Sequence, residues 1–184
     1  EIIGALSGAM LFVFIIIFAL IAIPFGSWSQ PLIIMAAIPL GLVGAVVGHL
    51  LLGLSFGFMS VQGLVGCTGV VVNASLVMVT IINERRGAGL GAQEAIIAGA
   101  KARVSSILLS SVTSFVGVAA LVFERDAATV HLVPLAAALG FGILIATPLL
   151  MLVVPALAML HVRLQERLRL ATGTGVAESQ PEVA

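Results

Sequence analysis

Charge is the scarcest commodity in this sequence. Its 184 residues carry eight basic and eight acidic side chains, 9% of the chain, against 61% hydrophobic residues. Soluble domains carry roughly 25% charged residues. A chain this poor in charge cannot cover a water-facing surface, so a membrane protein is the class that remains. Tyrosine is absent and tryptophan occurs once, which leaves a thin interfacial aromatic belt. A single cysteine, Cys67, excludes an intrachain disulfide and says nothing about compartment. Zero net charge gives no footprint for nucleic acid.

Catalytic signatures are missing as well. There is no HExxH and no pair of intramembrane aspartates. The serines Ser110 and Ser111 have no His or Lys base on a nearby turn, and GAGLG at 87–91 lacks the lysine and preceding strand of a phosphate loop. No Cys/His cluster suggests a metal, and no motif suggests a cofactor. An enzyme is therefore not expected.

One further absence bears on mechanism. The acids Glu1, Glu84, Glu94, Glu124, Asp126, Glu166, Glu178 and Glu182 all lie outside the apolar runs. Among Lys, Arg and His, only His49 lies inside a run, near its end, where a lone His reads as a structural hydrogen-bonding group. Proton coupling needs a titratable group, so this piece could not carry protons alone.

What is present is five apolar runs of membrane-crossing length, at about 2–23, 32–52, 59–82, 106–123 and 133–160. The expected fold is an all-α bundle of five transmembrane helices, with a short surface helix at about 88–102. Residues 163–184 read as a tail, basic at first and largely disordered. Arg85, Arg86, Lys101, Arg103, Arg163, Arg167 and Arg169 lie on one side of this layout, and Arg125 alone on the other. The positive-inside rule then makes the loop after the third run and the C-terminus cytoplasmic. The chain opens at Glu1 on an apolar run, without an initiator methionine or a signal pattern, and reads as a piece of something longer.

Two runs carry polar stripes. Gln62, Gly66, Gly69, Asn73, Leu76, Thr80 and Asn83 are spaced 4, 3, 4, 3, 4, 3, which places them on one helical face. Arg103, Ser106, Ser110, Thr113 and Gly117 form a second such face. Polar groups there need partners or a wet path. If the two faces meet, Asn73 can hydrogen-bond Ser110 or Thr113. The plainer reading is that the hydroxyls bond back to their own helix and that Asn73 is interhelical glue. Glycines at 41, 44 and 48 read as a close-packing surface.

Several motifs resemble one family. FGSWSQPLIIMAAIPLGLVGAVVG (25–48), GVVVN (69–73) continuing to IINERRGAG, EAIIAGAKAR (94–103) and LVVPALAML (152–160) are similar, in order and spacing, to the C-terminal membrane half of resistance–nodulation–division (RND) efflux pumps. The resemblance covers about residues 1–162. It implies the last five of twelve spans of a bacterial inner-membrane antiporter that exports hydrophobic or amphiphilic compounds in exchange for protons. Its implied setting is a homotrimer working with a periplasmic adaptor and an outer-membrane channel. By the same resemblance Asn73 stands where multidrug members carry a relay Lys, Ser110 where they carry a hydroxyl, and Arg103 at a basic position. Thr80 stands where many carry an acid. The coupling candidates are thus Asn73, Ser110, Thr113, Arg103 and Thr80. The alternative is a non-transporting membrane scaffold whose stripes only pack helices.

Overall fold

A computed structural model of the chain describes residues 2–123, 126 and 129–171. These residues form helices α1 (Ile2–Phe25), α2 (Ser29–Met35), α3 (Ile38–Leu52), α4 (Phe58–Gly87), α5 (Ala92–Val122) and α6 (Val133–Ala171), with one 3₁₀ turn at Val130–Leu132. No strand occurs among the described residues, as the composition implies. Four segments, Ser29–Leu52, Phe58–Gly87, Ala92–Val122 and Val130–Gln165, are long and apolar enough to cross a bilayer. α1 adds a further 24-residue helix of apolar sequence.

The middle of the bundle is α6, which packs against α3, α4 and α5. The core it helps to fill includes Ile34, Cys67, Met78, Ile96, Ile143, Leu150 and Val154. Without a solvent to drive helices together, such contacts rest on van der Waals packing and close backbone approach. The glycines supply that approach. A methyl group placed on Gly44 would lie 2.6 Å from the Phe141 carbonyl oxygen, and one on Gly142 would lie 2.7 Å from Cys67 Sγ. Gly63 sits against the Leu135 carbonyl in the same way. Gly41 and Gly48 meet Cys67 and Phe141, so the 41/44/48 surface is a packing surface.

Local chemistry moves several boundaries. The run expected at 32–52 is two helices, broken at Ala36–Ala37. Pro39 has no N–H and its ring crowds the carbonyl four residues earlier. The chain bridges the gap with short i to i+3 bonds, Ala37 N to Ile34 O and Leu40 N to Ala37 O. The surface helix expected at 88–102 is not separate. Residues from Ala92 onward run without a break into α5, because 92–122 contains no proline and only isolated glycines. The charges of 94–103 end the apolar run without ending the helix.

The tail expected from 163 begins as helix, since α6 continues to Ala171 through Arg, Gln, Glu and Leu, all good helix formers. The expected disorder of the last dozen residues falls outside the described residues, as does Arg125.

Polar side chains pin the start of α4. His49, buried near the end of α3, donates from Nδ1 to the Ala45 carbonyl at 2.8 Å. Its Nε2 lies 2.7 Å from Ser60 Oγ. The same hydroxyl oxygen accepts the Gly57 N–H at the start of α4. With Nδ1 carrying the proton, Nε2 is the acceptor and Ser60 the donor. His49 therefore acts as a structural hydrogen-bonding group within the hairpin of α3 and α4.

Candidate functional site

The two stripes lie on α4 and α5, and their exposure decides what they can be. On α4, Gln62, Gly66, Gly69 and Asn73 are exposed. Thr80 is half-buried, and its hydroxyl donates to the Leu76 carbonyl at 2.9 Å. On α5, Ser106, Ser110, Thr113 and Gly117 are exposed, and Thr113 Oγ1 donates to the Leu109 carbonyl at 2.8 Å. Arg103 is half-buried. Its Nε is buried without a hydrogen-bond partner among the described residues.

The stripes do not satisfy one another. No hydrogen bond joins Asn73 to Ser110 or Thr113 among the described residues. Asn73 has the whole of its carboxamide free for a partner outside this bundle. Beyond the chain neighbours and the backbone of its own helix, no described atom lies within 4 Å of a methyl group built on Gly69 or Gly117. Ser105, Ser106, Ser110, Thr113 and Ser114 line an open groove of about 630 Å³ along α5. The back-bonding of Thr80 and Thr113 follows the pattern expected of hydroxyls in a helix. Asn73 has no such recourse, because its amide is too polar to leave unpaired in hydrocarbon.

On α5 the buried polar contact with another helix is elsewhere. Ser111, one residue past the α5 stripe, meets Thr147 of α6, with the two hydroxyl oxygens 2.5 Å apart and both side chains buried. Each also lies within bonding distance of its own helix, Ser111 at the Ile107 carbonyl and Thr147 at the Ile143 carbonyl. Each hydroxyl has one proton. One of them must therefore donate across the interface and leave its own carbonyl to the other bonds of that turn. The signal for this face was the spacing Ile107, Ser111, Phe115, Val118 and Val122, four apolar residues around one hydroxyl. Exchanging Ser111 for Ala and Thr147 for Val, singly and together, is expected to give a coupling of about 0.6–1.7 kcal/mol in a thermal-stability double-mutant cycle.

The candidate site is thus two uncovered polar stripes, one on α4 and one on α5, within apolar membrane-length helices. Leu50, Leu51 and Leu152 are each at least 70% exposed and suit lipid. Asn73, Ser106 and Ser110 suit protein or water.

Known proteins are similar in sequence to this chain. The profile of the AcrB/AcrD/AcrF family matches residues 4–161. The chain is 31% identical over 144 residues to the nickel and cobalt resistance protein CnrA of Cupriavidus metallidurans, covering 78% of this chain and 13% of CnrA. It is 33% identical over 114 residues to the multidrug resistance protein MdtF of Escherichia coli K12, covering 61% of this chain and 11% of MdtF. It is 29% identical over 119 residues to the toluene efflux pump membrane transporter TtgB of Pseudomonas putida, covering 65% of this chain and 11% of TtgB. The chain therefore spans less than one-seventh of the length of each of these three relatives.

Proposed function

This chain belongs to the AcrB/AcrD/AcrF family, the RND permeases, and on that premise we propose that it is the C-terminal transmembrane part of a proton-driven efflux antiporter. The observation that carries the reading is the uncovered polar flank of α4 and α5. In a membrane such a flank needs a partner, and a partner bearing acids supplies what this chain lacks. The proposed setting is a bacterial inner membrane, with the C-terminus cytoplasmic. The proposed assembly is a homotrimer with a periplasmic adaptor and an outer-membrane channel.

Within that setting the roles follow from side-chain chemistry. Asn73 offers both a donor and an acceptor. It can pair with a carboxylate through its NH₂ and with a protonated carboxyl through its carbonyl. A lysine at this place would only donate, and its charge would favour the ionised acid strongly. Asn73 therefore couples to both states of a neighbouring acid with less bias than a lysine gives. Ser110 and Thr113 extend hydroxyls along the same flank and can hold water. Arg103, with an unpaired buried Nε, supplies a fixed positive charge at one end of the path. Thr80 stands about two turns from Asn73 and carries a hydroxyl where an acid would titrate.

The substrate proposed is a hydrophobic or amphiphilic compound, in line with the names of MdtF and TtgB. A divalent cation is the second reading, because CnrA is named for nickel and cobalt resistance. Uptake into inverted membrane vesicles containing the native protein tests the proposal. A pH gradient is expected to drive accumulation of a lipophilic dye, and a protonophore to abolish it. Accumulation of radioactive nickel or cobalt in place of the dye moves the substrate to the second reading. Neither activity, in vesicles that contain the protein, returns the chain to a scaffold role.

A further inference from the structure

At the far end of the α4 stripe, Asn83 ties the end of α4 to Gln30 at the start of α2 through their side-chain amides. Asn83 Nδ2 donates to Gln30 Oε1 at 2.7 Å, and Gln30 Nε2 lies 3.5 Å from Asn83 Oδ1. The clasp engages both carbonyl oxygens and leaves one N–H on each amide. Beside it, α2, α4, α5 and α6 enclose a cleft of about 30 Å³. Its polar lining is Gln30, Asn83, Arg86 and His161; the remaining lining residues are aliphatic, and no carboxylate is among them. Arg86 is exposed and makes no ion pair with a described residue.

Size and charge together select a ligand. One water-sized group needs about 10–15 Å³, so the cleft admits roughly two such groups. An acyl chain or an aromatic ring does not fit. The two non-bridging oxygens of a phosphodiester do, with the rest of the molecule left outside. A guanidinium grips that pair of oxygens as a fork, and the free amide N–H groups and the imidazole N–H add further donors.

Depth is given by the single tryptophan. Trp28 precedes Gln30 by two residues, is 75% exposed and rests against the ring of Phe18. An exposed Trp at the end of a membrane helix sits at headgroup level, which is where lipid phosphates are. We infer that this cleft binds a phosphodiester oxyanion, supplied by the headgroup of an anionic phospholipid. The inference rests on the membrane setting and not on transport. The lipid ties α2, α4 and α6 together at the end of the bundle that carries Arg85 and Arg86.

Native mass spectrometry tests it. The native protein is released into detergent from membranes containing phosphatidylglycerol and a phosphate-free galactolipid, and the lipids retained per chain are counted. Wild-type protein is expected to keep phosphatidylglycerol in preference to galactolipid. R86Q is expected to lower that retention about tenfold, as loss of a charged hydrogen-bonding partner does. H161Q is expected to lower it less. R85Q changes a neighbouring arginine that does not line the cleft, and retention is expected to stay at the wild-type level. Equal retention by wild type and R86Q overturns the site, and so does an equal loss in R85Q and R86Q. Arg86-dependent binding of inorganic phosphate alone, in detergent, keeps the oxyanion site and overturns the lipid as its source.

Discussion

Replacing Asn73 with alanine is expected to lower pH-gradient-driven export about tenfold or more, while the amount of protein in the membrane stays at the wild-type level. The size follows from burial. A polar group left without its partner in a low-dielectric site costs about 1–3 kcal/mol, and more if it is charged. In this chain Asn73 is uncovered and makes no hydrogen bond to a described residue, so its removal breaks nothing inside the bundle. The loss falls on the partner surface alone. That separation makes the variant informative: a folding defect and a coupling defect do not travel together here. Ser110→Ala on the same flank is expected to lose less, two- to fivefold on the order of one neutral hydrogen bond, because a water can replace one hydroxyl. Initial rates of dye uptake into inverted vesicles, normalised to protein amount, measure both. Wild-type transport by a well-expressed Asn73→Ala protein would remove Asn73 from the coupling path.

The second large effect is structural and opposite in character. Gly44→Ala and Gly63→Ala are each expected to remove most folded protein from the membrane fraction. Overpacking in a core costs about 1–3 kcal/mol when side chains can turn aside. Here the obstacles are backbone carbonyls, Phe141 O and Leu135 O, which are held by the hydrogen bonds of α6 and cannot rotate away. A methyl group at either glycine must push whole helices apart at the crossings of α6 with α3 and α4. Gly87→Ala is the control, since no atom lies within 4 Å of a methyl group there. Its expected effect is none or a slight gain, from the better helix propensity of Ala. Thermal midpoints of the purified proteins separate the three. A midpoint for Gly63→Ala within a few degrees of wild type would contradict this packing.

Much of this was legible in the residues, and the failures have particular causes. Run length and low charge gave the all-α membrane class, because nothing else suits such a chain. The break inside the second run was written in Pro39, but a hydropathy reading sees apolar character and not the missing N–H. The opposite error occurred at 88–102. There charge suggested a separate element, while the backbone had no residue that would stop a helix before α5. Periodicity identified the polar faces of α4 and α5 correctly as faces. It could not say what each face meets. A polar stripe suggests a buried pair, yet the hydroxyl that α5 buries is Ser111, and its partner Thr147 lies between Ala146 and Pro148 in a run with no polar pattern to announce it. Gly63 escaped notice for a similar reason, since the glycine spacings that drew attention on α4 were 66 and 69. Of those, Gly69 touches nothing in this bundle.

The central claim is that the Asn73 and Ser110 flank is covered by protein and water rather than by lipid. Spin labels on cysteines at 73 and 110 of the native protein, in a Cys67→Ser background, measure this directly through collision with oxygen and with a water-soluble nickel chelate. Oxygen concentrates in the bilayer, so a lipid-facing site is strongly oxygen-accessible. A label at 152, on an apolar exposed position, provides the lipid-facing reference. The account predicts low oxygen accessibility at 73 and 110, well below that at 152. Oxygen accessibility at 73 and 110 equal to that at 152 would contradict it.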